Sequence, residues 1–136
     1  MDYKKYLKLN PDIVKVRAEI FIKEQGFKNE FDKIDKNCTH VVFYDKNIPI
    51  AVCRYYKENN IYHIGRLALI KEYRDKHLGS KIMKIVEEEI KKEGGSRVTL
   101  SAQVRVKKFY SKNGYKEIGN IYFDEHCEHI RMEKFL

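Results

Sequence analysis

One stretch decides the fold of this chain, and it begins with the mostly apolar run Ile61-Tyr62-His63-Ile64-Gly65-Arg66-Leu67-Ala68-Leu69-Ile70. Further along, apolar side chains recur instead at steps of three and four, at Leu78, Ile82, Ile85, Val86 and Ile90. The first pattern is typical of a strand and the second of a helix, so strand, loop and helix are predicted in that order. The junction, Arg74-Asp75-Lys76-His77-Leu78-Gly79-Ser80, is basic and opens the helix. Because a helix N-terminus carries unpaired N–H groups and a partial positive charge, we predict an anion site there.

The composition fits one globular domain over residues 1–136. Apolar residues make up 43% of the chain, and no apolar stretch approaches the roughly 20 residues of a membrane helix. The N-terminus has no apolar segment of the kind found in signal peptides, so we expect a cytoplasmic protein with no membrane partner. The three cysteines, Cys38, Cys53 and Cys127, are widely spaced, which fits a reducing compartment better than a disulfide framework.

The formal net charge of +8 favours anionic partners, either nucleic acid or phosphorylated small molecules. The lysines are dispersed along the chain, and pairs such as Lys91-Lys92 and Lys107-Lys108 are the longest clusters. No basic-aromatic motif or recognition-helix signal accompanies them, so we expect no nucleic-acid partner.

The N-terminal half predicts an edge strand, a helix and a hairpin. A short strand is expected within residues 3–9. A helix follows from the cap signal Asn10-Pro11 and ends at Gly26. Residues 27–37 are rich in charge and predict a surface loop or one short helix. Two β-rich runs then form an antiparallel hairpin, residues 38–44 and 48–56.

The C-terminal half predicts three more strands and a short helix. The central helix ends at Gly94-Gly95, and its Glu87 and Glu88 are predicted to pair with Lys91 and Lys92 on the exposed side. A strand (97–103), a short helix (104–111) and two closing strands (115–118 and 128–135) follow. The strands at 61–70 and 97–103 are joined by a helix, so they should be parallel, whereas the other pairs are antiparallel. The fold class is therefore mixed α/β.

Two motifs in these elements resemble the GNAT superfamily of N-acetyltransferases. The phosphate motif of that family, Gln/Arg-x-x-Gly-x-Gly/Ala, is similar to residues 74–79, with His77 in place of the first glycine. A second signature, Asn-x-x-Ala-x-x-x-Tyr-x-Lys-x-Gly-Phe, is similar to residues 103–115. There Gln103 stands for Asn and Val106 for Ala, while the pattern Phe-Tyr-x-Lys-x-Gly-aromatic is intact over residues 109–115, with Tyr115 as the aromatic residue.

Three further segments resemble the ElaA/YjcF-type subgroup of this family: residues 21–26, 38–41 and 128–132. The resemblance covers nearly the whole chain. It implies a central mixed, mostly antiparallel sheet of about six to seven strands with helices on both faces and a parallel pair at strands 4 and 5.

The resemblance also implies a reaction and its site. The protein is expected to move an acetyl group from acetyl-CoA to a primary amine by direct attack, through a tetrahedral intermediate. Tyr110 would be the general acid and the N–H of Leu69 would stabilise the oxyanion. The expected donor site comprises Leu67, Ala68, Leu69, Arg74, Asp75, Lys76, His77, Leu78, Gly79, Ser80, Gln103 and Tyr110.

The acceptor side and the general base stay open. Glu24, His40 and His129 are candidates on the acceptor side, together with Glu30 and Asp32, and a chain of water molecules could serve as the base instead. The acceptor could be a small amine, a polyamine, an aminoacyl group or a protein amine. Both a monomer and a homodimer fit the sequence.

Two alternatives compete with the enzyme reading. The pairs Cys38-x-His40 and Cys127-x-His129 offer the donor types of a zinc site, but their spacing is unusual and the predicted topology separates them, so we expect no metal. A non-catalytic sensor or interaction module that binds acyl-CoA on the same fold is the other alternative, because a fold does not fix a function.

Overall fold

The computed structural model describes residues 1–136 and contains seven strands and three α-helices. The elements are β1 (Asp2–Tyr6), α1 (Pro11–Arg17), a π-helical segment (Ala18–Glu24), a 3-10 turn (Lys33–Lys36), β2 (Thr39–Asp45), β3 (Ile48–Glu58), β4 (Ile61–Leu69), a 3-10 turn (Lys71–Tyr73), α2 (Leu78–Lys92), β5 (Arg97–Gln103), a 3-10 turn (Val104–Val106), α3 (Lys107–Lys112), β6 (Lys116–Asp124) and β7 (Cys127–Phe135). The predicted order of strands and helices is confirmed.

The strands form one seven-stranded sheet in the order β1-β2-β3-β4-β5-β7-β6. β4 and β5 are parallel, with Tyr62 opposite Val98 and Ile64 opposite Leu100. The pairs β1–β2, β2–β3, β5–β7 and β6–β7 are antiparallel. The predicted mixed sheet with its parallel pair at strands 4 and 5 is therefore confirmed.

The chain divides into two compact units. The first comprises residues 1–56 and 65–79, and the second comprises residues 57–64 and 80–136. Apolar side chains of helix and strands form the core of the first unit, among them Ile13, Val16, Ile20, Val41, Phe43 and Ile50. The core of the second unit is built in the same way from Ile82, Met83, Val86, Ile90, Val98, Leu100 and Met132.

The first helix begins and ends where its cap signals predict, but it changes type on the way. The Asn10 side chain accepts a hydrogen bond of 2.9 Å from the Ile13 N–H. Gly26 follows the helical segment at φ +76°, a conformation that glycine adopts without a steric penalty. From Ala18 the helix continues as a π-helix to Glu24. π-Helical segments are rare in proteins, but those that do occur are often found at functional sites. The apolar spacing of the sequence did not predict this one.

The prediction that Glu87 pairs with Lys91 on the exposed side of α2 is wrong. Glu87 is buried and accepts hydrogen bonds of 2.8 Å from the Tyr115 hydroxyl and from Lys134 Nζ. The ion pairs on the helix are instead Glu88–Lys91 at 3.6 Å and Glu89–Lys92 at 3.2 Å. Partners far along the chain accommodate the Glu87 carboxylate, so the helix sequence alone could not show its burial.

A membrane-spanning segment is not found among the helices, since none combines sufficient length with sufficient apolar character.

Candidate active site

The predicted phosphate loop lies between β4 and α2, and two of its residues have left-handed backbones. Asp75 has φ +62° and His77 has φ +59°, and both side chains are exposed. Glycine favours this region, and Asp and His are among the other residues that tolerate it best. The backbone at His77 therefore has the left-handed conformation that a glycine at this motif position could also adopt.

Side-chain contacts fix the N-terminal part of this loop within the first unit. Arg74 Nε donates to the Leu69 carbonyl at 2.8 Å, and Arg74 Nη2 pairs with the Glu24 carboxylate at 2.9 Å. The Tyr73 hydroxyl donates to Asp45, the last residue of β2, at 2.5 Å. Glu24, a candidate on the acceptor side, is thus the partner of Arg74, and it neutralises the charge expected to face a phosphate.

The last three residues of β4 are those expected to line the acyl donor. Ala68 is buried, while Leu67 and Leu69 are half-buried. Directly before them Arg66 has φ +52°, which is unusual for a non-glycine residue inside a strand. Just after them the Ile70 N–H donates to the Ile50 carbonyl of β3 at 2.9 Å.

Tyr110 lies on α3 and is half-buried. Its ring packs edge-on against Tyr115 with 6.1 Å between the ring centroids, and its carbonyl accepts from the Tyr115 N–H at 3.0 Å. These contacts fix the phenol at the end of a short helix.

Asn113 connects the two sequence motifs, a role that the sequence analysis missed. Its Nδ2 donates to the Phe109 carbonyl at 2.8 Å and to Ser80 Oγ at 3.2 Å. Ser80 belongs to the first turn of α2, so one amide ties the helix of Tyr110 to the helix that the phosphate loop opens. The Asn113-Gly114 pair predicted only a helix stop.

The two candidate histidines are buried and hydrogen-bonded to the backbone. His40 Nε2 lies 3.0 Å from the Asp35 carbonyl and 3.4 Å from Cys38 Sγ, and burial lowers the His40 pKa. His129 Nδ1 lies 2.9 Å from the Cys127 carbonyl, and its ring stacks on Tyr122 at a centroid distance of 6.0 Å. Gln103, at the end of β5, lies opposite His129 in the register with β7.

Three arginines converge on three carboxylates in the first unit, which we call the arginine network: Arg17, Arg54, Arg66, Glu30, Asp32 and Asp35. Arg17 pairs with Glu30 at 2.8 Å and with Asp35 at 2.6 Å. Arg54 pairs with Asp32 at 2.7 Å and with Asp35 at 2.8 Å. Arg66 pairs with Glu30 at 3.1 Å and with Asp32 at 3.3 Å. The network fixes residues 30–35 against α1, β3 and β4.

Burial and ion pairing act in opposite directions on the carboxyl groups of this network. Burial pushes the Asp35 pKa upwards, but hydrogen bonds from Arg17 and from the Asp32 backbone outweigh it and hold the pKa at about 2. For Glu30, burial outweighs the attraction of Arg66 and Arg17, and its pKa is raised. A signal for the network was present, since Arg54 and Arg66 stand inside apolar strands and an arginine is rarely buried without a partner.

Neither possible metal site has a free set of donors. The two Cys-x-His pairs lie on β2 and β7, which are separated in the sheet by β3, β4 and β5. A trio formed by Asp35, Cys38 and His40 has its donor atoms within 4.8 Å of one another. Asp35 already binds two arginines, and burial raises the Cys38 pKa to about 11, so its thiol resists the ionisation that metal binding requires.

Comparisons with known proteins identify the class. The profile of the acetyltransferase (GNAT) domain matches residues 9–136. The uncharacterized N-acetyltransferase YjcF of Bacillus subtilis strain 168 is 31% identical over 126 residues, which cover 90% of each chain. The chain therefore belongs to the GNAT family and is an acetyltransferase of this type.

Solved structures agree with this assignment at the level of the fold. The crystal structure of Escherichia coli ElaA has a TM-score of 0.88 at 20% identity, covering 98% of this chain and 99% of that one. An aminoglycoside 6'-N-acetyltransferase crystallised with coenzyme A has a TM-score of 0.77 at 14% identity, covering 99% and 97%. The fold is thus shared with ElaA, and the 31% identity to YjcF confirms the relationship to which the sequence segments pointed.

Proposed function

We propose that this protein transfers the acetyl group of acetyl-CoA to a primary amine. The observation that carries the proposal is the backbone of the phosphate loop, where left-handed residues at Asp75 and His77 lead directly into the N-terminus of α2. Backbone N–H groups presented in this way form concave anion sites. The coenzyme A bound by the aminoglycoside acetyltransferase of similar fold supports a pyrophosphate as the anion.

The residues of the loop and of β4 fit such a donor. The N–H groups of residues 76–80 would hold the pyrophosphate. The backbone of Leu67, Ala68 and Leu69 would bind the pantetheine arm, and of their side chains only that of Ala68 belongs to the buried core. Acetyl-CoA supplies a thioester, whose carbonyl carbon is open to attack by an amine.

Two groups of the chain then act on charge that develops during transfer. As the amine nitrogen forms its bond to the carbonyl carbon, negative charge moves to the carbonyl oxygen, where the Leu69 N–H would stabilise it. As the bond from carbon to sulfur breaks, the electron pair leaves with sulfur, and the Tyr110 hydroxyl would give that sulfur its proton. The attacking amine loses a proton to water or to a side chain of the acceptor site.

The test is release of free thiol from acetyl-CoA against a panel of small amines, polyamines, aminoacyl compounds and lysine peptides. We expect turnover with at least one acceptor, and loss of donor binding in Gly79→Glu because the new carboxylate repels the pyrophosphate. Ser96→Glu is the matched control: it adds the same charge at an exposed position outside the motifs and should leave binding unchanged.

Two outcomes would contradict the proposal. Unchanged acetyl-CoA affinity in Gly79→Glu, measured by calorimetry, would remove the phosphate assignment. Donor binding without thiol release on any acceptor would favour the sensor alternative over the enzyme.

A further inference from the structure

Arg66 has a left-handed backbone inside strand β4. Its φ is +52°, it is not a glycine, and it directly precedes the three residues proposed to bind the donor. Left-handed conformations are unfavourable for residues with a Cβ, and they persist where the surroundings hold them. The question is what holds Arg66.

The Arg66 side chain is fixed to one short segment of the first unit. Its Nε and Nη2 donate to the Glu30 carbonyl at 3.2 and 2.9 Å. Its Nε also lies 3.1 Å from Glu30 Oε2, and its Nη2 lies 3.3 Å from Asp32 Oδ2. Two nitrogens of the Arg66 guanidinium therefore donate to one carbonyl oxygen, and the same guanidinium also contacts two carboxylates.

The groups that hold Arg66 are themselves fixed. Arg17 donates through Nη2 to the same Glu30 carbonyl at 2.9 Å and through Nε to Glu30 Oε2 at 2.8 Å. Arg54 donates to both oxygens of Asp32, at 2.7 and 3.0 Å. Arg17, Glu30 and Arg54 are almost fully buried, so this anchor cannot follow Arg66 if the strand relaxes.

We propose that Arg66 is a positioning residue for acetyl transfer: its side chain, anchored on Glu30 and Asp32, holds the backbone of β4 in the left-handed turn that orients the N–H and C=O groups of Leu67–Leu69 toward the acetyl donor. This inference rests on the proposed function. Arg66 itself touches neither donor nor acceptor in this role. It acts through the backbone of the residues that follow it.

Substituting Arg66 with glycine and with alanine distinguishes this positioning role from direct contact with the acceptor and from a purely structural role. Both variants remove the anchored side chain, but only glycine adopts φ +52° freely. In Arg66→Ala the strand relaxes away from the left-handed region, and the competent backbone becomes about 5- to 30-fold less populated. We expect kcat to fall by that factor in Arg66→Ala. In Arg66→Gly, kcat should be at least several-fold higher than in Arg66→Ala. Arg66→Lys should resemble alanine, because an ammonium cannot replace the two-nitrogen contact with Glu30.

Asn60 supplies the matched control pair. It has φ +65° in the exposed turn between β3 and β4, outside the proposed site. Asn60→Ala should melt at a lower temperature than Asn60→Gly, with equal kcat in both. The control shows that a backbone effect on stability alone does not change turnover.

Three results would overturn the inference. Equal loss of kcat in the glycine and alanine variants, with a raised KM for the amine, would mean that Arg66 contacts the acceptor. Lower melting temperatures with parental kcat in both would leave a purely structural role. If the parent protein releases no thiol, the same comparison is made with the affinity for coenzyme A. Equal affinity in the two variants, or no binding to the parent, would then overturn it.

Discussion

At the scale of single residues, the hydroxyl of Tyr110 carries the sharpest prediction. Tyr110→Phe removes one oxygen from a half-buried ring whose packing on Tyr115 remains. The leaving thiolate resembles a cysteine thiol, which titrates at about pH 8.5, so protonation helps the reaction without being indispensable. We expect kcat to fall toward the low end of the roughly 10²–10⁴-fold range of acid–base catalysis. Donor affinity should be nearly constant, because in the proposed mechanism the hydroxyl acts on the sulfur and not on the phosphates.

Tyr44→Phe is the control for this variant. Its hydroxyl donates to Asp12 at 2.9 Å in the first unit, so its removal should lower the melting temperature and leave kcat unchanged. Melting temperature, acetyl-CoA affinity and kcat are measured on one preparation of each variant. A Tyr110→Phe protein that folds and turns over at the parental rate would exclude Tyr110 from the mechanism.

His77 tests the backbone of the phosphate loop. Because its φ is +59°, His77→Gly removes a steric penalty of about 1–2 kcal/mol and adds unfolded-state entropy of about 0.4–1 kcal/mol. The free energy of unfolding should therefore stay equal or rise by up to about 1.6 kcal/mol, and acetyl-CoA affinity should be kept.

Lys76→Gly is the neighbouring control for stability. Lys76 is not among the residues with positive φ, so glycine there should destabilise the fold by about 0.5–1 kcal/mol. Both values come from urea unfolding. A His77→Gly variant that is destabilised as much as Lys76→Gly would contradict the left-handed backbone at residue 77.

At the scale of elements, the arginine network predicts how the segment of residues 30–35 responds to acid. The Asp35 pKa is about 2 in the folded protein, below its ordinary value of 3.8. A carboxyl with a lowered pKa stabilises the fold above its unfolded pKa, and this contribution disappears as the pH falls through the folded pKa. Asp35 should therefore lose about 2 kcal/mol of stabilisation between pH 4 and pH 2. The raised pKa of Glu30 acts in the opposite direction.

Asp35→Asn isolates this contribution. At neutral pH it removes the buried carboxylate that Arg17 and Arg54 share, which leaves Arg17 with Glu30 and Arg54 with Asp32, and it should cost up to about 3–5 kcal/mol. Urea unfolding should show the difference from the parent protein shrinking by about 2 kcal/mol between pH 4 and pH 2. In the exposed control Lys36→Gln, that difference should not change, since the substitution leaves the Asp35 carboxylate and its two arginines in place. A constant difference for Asp35→Asn would contradict the depressed pKa.

At the scale of the whole molecule, the sheet order predicts metal content. Three strands separate β2 from β7, so the two Cys-x-His pairs should not share an ion, and Asp35 is already held by two arginines. We expect no stoichiometric zinc in protein purified without a histidine tag, by elemental analysis. One equivalent of zinc that is lost in Cys38→Ser but kept in Cys127→Ser would place a metal at the buried trio instead.

The sequence by itself determined the order of the elements, the mixed sheet and the two motifs. These depend on local features: alternation and 3.6-residue periodicity, the Asn10-Pro11 start, and glycines that end helices. Because a helix connects the strands at 61–70 and 97–103, the rule for crossover connections predicted that these two strands are parallel. The motif residues could be placed because they stand at fixed spacing around a strand end and a helix start.

Only the tertiary structure decided which charged groups meet. Arg74 pairs with Glu24, Glu87 with Lys134, and Arg66 with Glu30. Each of these pairs joins residues far apart in the chain, so no local pattern reports them. For the buried carboxylates of Glu30 and Glu87, burial selects such partners because an ionised side chain removed from water must be compensated nearby. For the same reason Glu87, which could have paired along its own helix, is held instead by Tyr115 and Lys134.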